Sequence, residues 1–196
     1  MKKIPTLFER EFLDNHVKIK PIVTKGFEWV LNGEGIATIK FDGSCCAIIS
    51  GEFYKRYDAK GGKPIPDGAI KCQDEPDAVT GHLPCWVKCD RNNPADKWFW
   101  AAYDNVSNHK TLDDGTYEAV GVHFQDNPYC TTYDYLIKHG EDQIDNNELP
   151  RTFEGIRDWL SENNHEGIVF WKDGKPQCKI KRTDFGLEWN GKNKKR

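Results

Sequence analysis

The sequence predicts an α+β protein in which mostly antiparallel sheets have flanking helices. Three observations lead to this fold class. Strand-like apolar runs outnumber helix signals, tight turns join neighbouring runs, and strands and helices are mixed along the chain. A tight turn joins two strands in antiparallel orientation, because a parallel pair requires a long crossover connection. We therefore expect hairpins to dominate the sheets.

Turn signals separate the strand-like segments into hairpins. Ser50-Gly51-Glu52 is a tight-turn sequence that interrupts one apolar region, and Asp173-Gly174 interrupts another. The second of these is the clearest hairpin in the chain, since Asp-Gly favours the two-residue turns of antiparallel strands. An Asp114-Gly115 turn opens a further strand. The strand-like segments are Gly35–Arg56, Thr116–Gly121, Gly167–Trp171 and Pro176–Lys181.

Two helices and one long irregular segment complete the prediction. Thr131 or Thr132 is a candidate N-cap for a short helix that runs through Ile137 and ends near Gly140. Thr152 is a candidate N-cap for a second helix with an apolar face at helical spacing. Residues 60–93 contain many Gly, Pro, Asp and Lys residues and are predicted to be irregular. Core packing is expected for Trp29, Trp98 and Trp159.

Composition favours a globular protein that is not inserted in a membrane. Of 196 residues, 37% are hydrophobic and 30% are charged, which is the balance of a folded domain and not of a disordered chain. No apolar run approaches the roughly 20 residues that cross a bilayer, and charged residues follow the N-terminus closely. Seven cysteines, two of them adjacent, do not suggest a disulfide framework. We expect reduced thiols, a cytoplasmic location and no membrane partner.

The C-terminal segment is basic although the chain as a whole is slightly acidic. Residues 178–196 contain seven Lys or Arg against two Asp or Glu, whereas the net charge of the chain is −3. A basic tail on an acidic body steers association with a polyanion. A solvated, disordered end is the alternative for the last six residues.

Two segments contain lysines of the kind that act on phosphates. Lys40, in Lys40-Phe41-Asp42-Gly43, is expected at the end of a strand before a turn. Burial and neighbouring cations lower the pKa of a lysine amine and free its lone pair for attack. Lys179 and Lys181 lie two apart on a predicted strand, so both point to one face and form a phosphate clamp. Taken alone, the Lys40–Gly43 segment is more often a hairpin end, and alternating lysines are more often a polar face of a sheet.

Two glutamates accompany short apolar strands. Glu118 lies in Tyr117-Glu118-Ala119-Val120-Gly121, and Glu166 precedes Gly167-Ile168-Val169-Phe170. A carboxylate in such a place binds a divalent metal or holds a ribose hydroxyl, although a solvated strand boundary is the more common reason for it. The order and spacing of all four segments in one chain is what favours a catalytic site.

The four segments together resemble the motifs of the covalent nucleotidyltransferases, which comprise polynucleotide ligases and capping guanylyltransferases. The resemblance extends from about Gly26 to Arg182 and implies an ATP-grasp-like ligase adenylation domain over residues 1–185, with residues 186–196 as a basic tail. Single motifs are weak evidence, but the ordered set is specific. The matching segments are Lys40–Gly43 for motif I, Arg56 for motif Ia, Glu118 with Gly121 for motif III, Glu166-Gly167 for motif IV, and Lys179-Ile180-Lys181 for motif V.

Within that superfamily the chain is most similar to small single-domain RNA ligases. Only 15 residues follow Lys181, which are too few for the OB-fold domain that DNA ligases and capping enzymes carry after motif V. We therefore expect no OB-fold domain. The segments that carry the narrower resemblance are Trp29-Val30, Gly33-Glu34-Gly35, Leu83-Pro84-Cys85-Trp86, Asn93–Trp98 and Gln125-x-Asn127-Pro128-Tyr129.

The resemblance implies an ATP-dependent RNA ligase that joins a 5′-phosphate end to a 3′-hydroxyl end. Lys40 would attack the α-phosphorus of ATP and keep AMP, which would pass to the RNA 5′-phosphate and then be displaced by the 3′-hydroxyl. Mg²⁺ or Mn²⁺ would be the divalent cofactor. The implied roles are α-phosphate contacts for Lys179 and Lys181, ribose or 5′-phosphate contact for Arg56, ribose binding for Glu118, orientation of a hydroxyl or metal-bound water for Asp42, metal binding for Glu166, and adenine stacking for Phe124.

Four alternatives remain open from the residues. Phe124 is equally consistent with ordinary core packing. The enzyme could transfer AMP or GMP to a protein, a small molecule or DNA, because the residues of the first step are shared. A non-catalytic RNA-binding module is a third possibility, given 12% aromatic residues and the basic tail. A zinc site is a fourth, although its spacing matches no common finger, and its candidate ligands are Cys72, His82, Cys85 and Cys89.

Overall fold

The computed structural model describes residues 2–13, 16–61, 63–78 and 80–190. The chain folds into two compact units, and it passes from one to the other after residues 3, 41 and 139. Unit 1 comprises residues 1–3 and 42–139, and unit 2 comprises residues 4–41 and 140–196. Most of the predicted basic tail, residues 191–196, lies outside the described residues.

Strands predominate over helices in the described residues, as the sequence predicts. Two short 3₁₀ helices, Pro94–Asp96 and Arg182–Phe185, precede α2 and follow β11 respectively. The other elements in chain order are β1 Phe8–Leu13, β2 His16–Val23, α1 Glu28–Leu31, β3 Ile36–Lys40, β4 Ser44–Ile49, β5 Glu52–Ala59, β6 Ile70–Lys71, β7 Leu83–Lys88, α2 Lys97–Ser107, β8 Gly115–Val120, β9 Tyr135–Lys138, α3 Phe153–Glu162, β10 Gly167–Lys172 and β11 Lys175–Lys181.

Unit 2 contains a three-stranded antiparallel sheet in the order β11-β10-β3, and a separate hairpin of β1 and β2. The hairpin predicted around the Asp173-Gly174 turn is confirmed as β10 and β11. The predicted N-cap of α3 is also confirmed, since the Thr152 hydroxyl accepts a hydrogen bond from the Gly155 N–H at 3.0 Å. Ile156 and Leu160 of this helix are buried in the unit 2 core. The apolar face of α3 is therefore what closes the core.

Unit 1 contains a six-stranded sheet in the order β6-β7-β5-β4-β8-β9, with antiparallel pairing throughout. Side chains alternate between the two faces of a strand, so one face carries Cys46 and Tyr117 and the other carries Cys45 and Glu118. Cys46 and Tyr117 belong to the core that Phe99 and Trp100 of α2 cover. The opposite face, with Cys45 and Glu118, is called the polar face of the unit 1 sheet below.

Two predicted elements of unit 1 are wrong. The expected helix from residue 131 to 137 is absent, because Tyr135–Lys138 form β9 and pair with β8. The expected irregular segment at 60–93 contains β7, which pairs with β5 along Leu83–Lys88 and is largely buried. In both places pairing with a neighbouring strand, which lies far away in sequence, overrides the local pattern.

The α+β class and the predominance of antiparallel pairing are confirmed, since every pairing between these strands is antiparallel.

The core position predicted for Trp98 is wrong, because 37% of its surface is exposed. Within the described residues, no helix combines the length and the apolar character that crossing a membrane requires.

Candidate functional site

The register of the unit 2 sheet brings the ends of three strands together. Gly167, the first residue of β10, lies opposite Lys40 at the end of β3 and opposite Lys181 at the end of β11. A Cβ atom on Gly167 would lie 2.2 Å from the carbonyl oxygen of Ile180. Only glycine allows this close approach of β10 and β11. Two of the predicted site lysines, Lys40 and Lys181, are thus placed at one end of one sheet.

Glu166 connects these lysines. Its carboxylate is buried, with 4% of the residue exposed, and Lys181 Nζ lies 2.8 Å from its Oε1 atom. Lys40 Nζ forms an ion pair with the other oxygen, Oε2. Burial alone would raise the pKa of Glu166, but the charges of Lys40 and Lys181 hold it below its usual value. The carboxylate is therefore ionised and shared by two ammonium groups.

Lys179 is the third lysine of this group. It lies on the same face of β11 as Lys181, while Ile180 between them is fully buried on the other face, as the alternation predicts. Burial, and then repulsion from Lys40 and Lys181, lower the pKa of Lys179 to about 8. Burial and the two positive neighbours together outweigh the one nearby carboxylate, so the Lys179 amine loses its proton more easily than an exposed lysine does.

Unit 2 therefore presents an excess of positive charge at the end of its sheet. Lys40, Lys179 and Lys181 surround the single carboxylate of Glu166, so the group has two uncompensated positive charges when all are ionised. Arg10 also disfavours protonation of Lys179, but its own charge is compensated by Asp184, whose Oδ1 atom lies 2.9 Å from the guanidinium. Such a group binds an anion with several oxygens, and a phosphate is the natural candidate.

The predicted metal ligand Glu166 offers the hard oxygen donors that Mg²⁺ prefers. Both of its oxygens are paired with ammonium groups, so a metal at this carboxylate would take the place of one of them. The donor type fits a divalent metal. Asp42, the second predicted metal residue, belongs to unit 1.

In unit 1, one glycine and two polar side chains fix the loop that starts at Asp42. The Asp42 N–H donates a hydrogen bond to the Tyr129 hydroxyl at 2.5 Å, and the Gln125 amide donates to the Gly43 carbonyl at 2.9 Å. A Cβ atom on Gly43 would lie 2.2 Å from the Ala119 carbonyl oxygen. Gln125 and Tyr129, which the sequence singled out without assigning a role, thus hold the segment that follows Lys40.

Glu118 is hydrogen-bonded to a histidine that the sequence did not single out. His139 Nε2 lies 2.9 Å from Glu118 Oε2, and its Nδ1 lies 3.0 Å from the hydroxyl of Thr116. β8 and β9 are antiparallel neighbours, and His139 directly follows β9, which explains the proximity. A strand predicted at Tyr135–Lys138 would have indicated this contact, because it would have placed His139 beside β8. Residues 131–137 were predicted to be a helix instead.

Arg56 and Cys45 are neighbours in unit 1. Arg56 Nε is paired with Asp58 at 2.8 Å, and the guanidinium also hydrogen-bonds to the thiol of Cys45. Cys45 lies directly opposite Glu118 on the neighbouring strand. Burial first, and then the charge of Glu118, raise the pKa of the Cys45 thiol to about 12.

Phe124 has the core position that the sequence left as an alternative. Only 5% of its surface is exposed, and its ring packs edge-on against Phe99 at 5.4 Å between centroids. It belongs to the cluster that packs under α2. A ring enclosed in this way has no free face for a nucleobase, so we do not include Phe124 in the proposed nucleotide site.

The four zinc candidates do not form a site. No three of Cys72, His82, Cys85 and Cys89 place their ligand atoms together within the described residues. Cys85 and Cys89 are buried among apolar residues, which explains their presence without a metal.

The fold thus defines a mixed α+β protein with mostly antiparallel sheets and a cationic group of lysines around a buried glutamate. A scan against protein-family models and a search of curated proteins both find no match for this chain.

Proposed function

We propose that this protein is an ATP-dependent RNA ligase that works through a covalent lysyl-AMP intermediate on Lys40. The observation that carries the proposal is the group of three lysines around the buried carboxylate of Glu166. It supports the proposal because a nucleophilic amine and a phosphate clamp are what the first step of such a ligase requires. The proposed fold is a nucleotidyltransferase domain.

In the first step the lone pair of Lys40 Nζ attacks the α-phosphorus of ATP. An N–P bond forms, the bond from phosphorus to the bridging oxygen breaks, and pyrophosphate leaves with the bonding electrons. Lys40 must first lose a proton, and the Glu166 carboxylate that is paired with its amine is the adjacent acceptor. Lys179 and Lys181 stabilise the charge that develops on the α-phosphate oxygens.

Mg²⁺ or Mn²⁺, when bound, would neutralise charge on the triphosphate, and Glu166 is its proposed ligand in unit 2. Arg56 and Glu118 keep the roles that the resemblance implies for them, which are contact with ribose or the 5′-phosphate and binding of the ribose hydroxyls. The two later steps, transfer of AMP to the RNA 5′-phosphate and attack by the 3′-hydroxyl, use the same phosphate-binding lysines.

Self-adenylation is the first test of the proposal. The purified protein is incubated with Mg²⁺ and ATP labelled at the α-phosphate, and the label is followed on a denaturing gel. We expect label on the wild type and on Lys25→Ala, an exposed lysine of the same unit, and none on Lys40→Ala. Absence of label from wild-type protein with ATP, GTP and NAD would overturn the proposal. Prior treatment with pyrophosphate removes any AMP that the protein acquired before purification.

The acceptor is tested separately from the covalent step. Labelled RNA with a 5′-phosphate and a 3′-hydroxyl is expected to be joined by the wild type and not by Lys40→Ala. RNA that carries a chemically prepared 5′-adenylate bypasses the first step, and Lys40→Ala should still join it. Label on Lys40 without any joining of RNA would indicate an AMP transferase with another acceptor. RNA binding that needs neither nucleotide nor Lys40, and no label, would indicate a binding module.

A further inference from the structure

Three potential metal ligands lie together on the polar face of the unit 1 sheet. Cys45 on β4 and Glu118 on β8 are directly opposite each other, and His139 follows β9, the next strand of the sheet. One ligand atom from each of the three lies within 4.8 Å of the other two. Among the residues that the structure describes, no other group of three or more Cys, His, Asp or Glu has this property.

The histidine is oriented as a metal ligand requires. Its Nδ1 is 3.0 Å from the Thr116 hydroxyl, and this contact turns Nε2 towards Glu118 Oε2 at 2.9 Å. A hydrogen bond from the second ring nitrogen is the usual way in which proteins fix a ligating imidazole. With the ring proton on Nδ1, the lone pair of Nε2 and the Glu118 Oε2 atom would face the same metal ion.

The ligand types select the metal. A thiolate, an imidazole and one carboxylate are the donor set of Zn²⁺ and similar borderline ions, whereas Mg²⁺ prefers oxygen donors alone. Bonds of about 2.0–2.3 Å place tetrahedral ligand atoms roughly 3.3–3.8 Å apart, which small side-chain rotations reach from the present positions. Three protein ligands leave the fourth position of a tetrahedral ion for a water molecule or another ligand.

We propose that Cys45, Glu118 and His139 form a binding site for Zn²⁺ or a chemically similar transition-metal ion. On binding, the Sγ–H bond of Cys45 breaks, its proton passes to the solvent, and an Sγ–metal bond forms with no change of oxidation state. The thiolate and the Glu118 carboxylate together balance the two positive charges of the metal. The charge of Arg56, which also faces Cys45, is matched by Asp58 at 2.8 Å.

Access to the site is adequate for an ion. The side chains of His139 and Glu118 are 18% and 13% exposed, so they are neither sealed in the core nor fully solvated.

The site has a consequence for the enzyme that rests on the proposed function. If Glu118 holds the ribose of ATP, as proposed, a metal on the same carboxylate prevents that contact. Zn²⁺ would then inhibit self-adenylation in competition with ATP, while Mg²⁺ would continue to support it. Such a site would make the ligase sensitive to free thiophilic metal.

The proposal is tested first with Co²⁺, which reports its own ligands spectroscopically. Co²⁺ is titrated into the reduced, metal-free full chain, and the near-ultraviolet and visible spectra are recorded. We expect one Co²⁺ per chain, a sulfur-to-cobalt charge-transfer band, and displacement by Zn²⁺. Cys45→Ser should lose the band, and its affinity should fall by more than about 100-fold, the upper limit for loss of an outer-shell partner. Cys130→Ser, which changes an exposed cysteine of the same unit, should keep both.

A second variant guards against a local folding defect at Cys45. His139→Gln removes the imidazole but leaves every thiol in place, and it should weaken binding to a similar extent while the circular dichroism spectrum is unchanged. A charge-transfer band that persists in Cys45→Ser, or no band in the wild type, would overturn the site. These outcomes do not depend on ATP or on Lys40.

The inhibition is then measured by labelling with α-phosphate-labelled ATP at several Zn²⁺ concentrations. We expect higher ATP to relieve the inhibition, and Cys45→Ser to be at least tenfold less sensitive to Zn²⁺. Metal binding without any labelling would leave the site standing and count against the proposed function. Labelling that is unaffected when the site is saturated with metal would overturn the competition.

Discussion

Lys181 Nζ lies 2.8 Å from Glu166 Oε1, and Lys40 is paired with the other oxygen of the same carboxylate. One buried carboxylate thus connects the ends of β3 and β11 on either side of β10. The Glu166 carboxylate stabilises the fold, because it neutralises two ammonium groups beside the core. It also holds the proposed nucleophile Lys40 next to a proton acceptor and next to the proposed phosphate-binding Lys181.

Replacement of Glu166 by glutamine should lower both stability and activity. Glu166→Gln removes the charge that two lysines share, and removing one partner of a buried ion pair costs about 3–5 kcal/mol in free energy of unfolding. Chemical denaturation of the variant measures this loss. The exposed residue Glu162, in the same unit, supplies the control Glu162→Gln, which should unfold like the wild type. Equal stability of Glu166→Gln and wild type would contradict the ion-pair interpretation.

The same carboxylate should contribute to the acid sensitivity of the fold. The pKa of Glu166 is lower in the folded protein than the value of 4.5 for a glutamate side chain in an unfolded chain. The stabilisation is therefore present above about pH 4.5 and is lost as the pH falls through the lower folded value. Unfolding free energies measured between pH 6 and pH 3 should fall more steeply for the wild type than for Glu166→Gln. Parallel curves would show that Glu166 does not titrate as described.

Lys179 should destabilise the fold at neutral pH. Its pKa of about 8 in the folded protein lies below the value of 10.5 for a lysine side chain in an unfolded chain. As the pH falls from about 10.5, the unfolded chain takes up the proton first, so stability decreases until about pH 8 and then stays constant. Lys179→Met should remove this dependence and raise the free energy of unfolding at pH 7 by up to about 3 kcal/mol. It should also reduce self-adenylation, because the α-phosphate contact is lost.

The control for Lys179 lies on the same strand. Lys175 is exposed at the start of β11, so Lys175→Met should leave the pH dependence between 8 and 10 as it is in the wild type. Thermal unfolding at several pH values within this range makes the comparison. If Lys175→Met and Lys179→Met behaved alike, the special environment of Lys179 would be refuted.

The Gly43 position should tolerate no side chain. A Cβ atom there would lie 2.2 Å from the Ala119 carbonyl and 2.8 Å from Val120 Cγ1, so backbone atoms would have to move. We expect Gly43→Ala to cost about 3 kcal/mol in stability. Gly51→Ala is the comparison, since open space surrounds that turn and only its positive φ of 76° opposes alanine, at a cost of about 1 kcal/mol. Gly43→Ala should therefore unfold at a lower denaturant concentration than Gly51→Ala, and the reverse order would contradict the steric argument.

The hydroxyl of Tyr129 should stabilise the loop that begins at Asp42. Tyr129→Phe removes the acceptor of the Asp42 N–H, and an unsatisfied, partly buried donor costs about 1–2 kcal/mol. The rate of self-adenylation should fall as well, because Asp42 loses a contact that fixes its backbone. Tyr133→Phe changes a tyrosine that is 58% exposed and should alter neither quantity. Unchanged stability of Tyr129→Phe would show that the hydrogen bond contributes little.

Where the fold was predicted correctly, the signal was local. The Asp173-Gly174 turn specified the β10–β11 hairpin, and Thr152 specified the start of α3, because each depends on residues within a few positions. β7 and β9 were missed, since each is stabilised by pairing with a strand that is distant in the sequence. Short edge segments such as Tyr135–Lys138 have too few residues for their own pattern to decide between strand and helix.

The sequence by itself determined the candidate residues Lys40, Glu166, Lys179 and Lys181, because residue types and the two-residue alternation of a strand can be read directly from the chain. The tertiary structure alone decided that one buried carboxylate is shared by Lys40 and Lys181, and that burial beside these lysines lowers the pKa of Lys179. It alone also placed His139 and Cys45 beside Glu118. These relationships depend on strand register and on burial, which arise only when segments far apart in the sequence pack together.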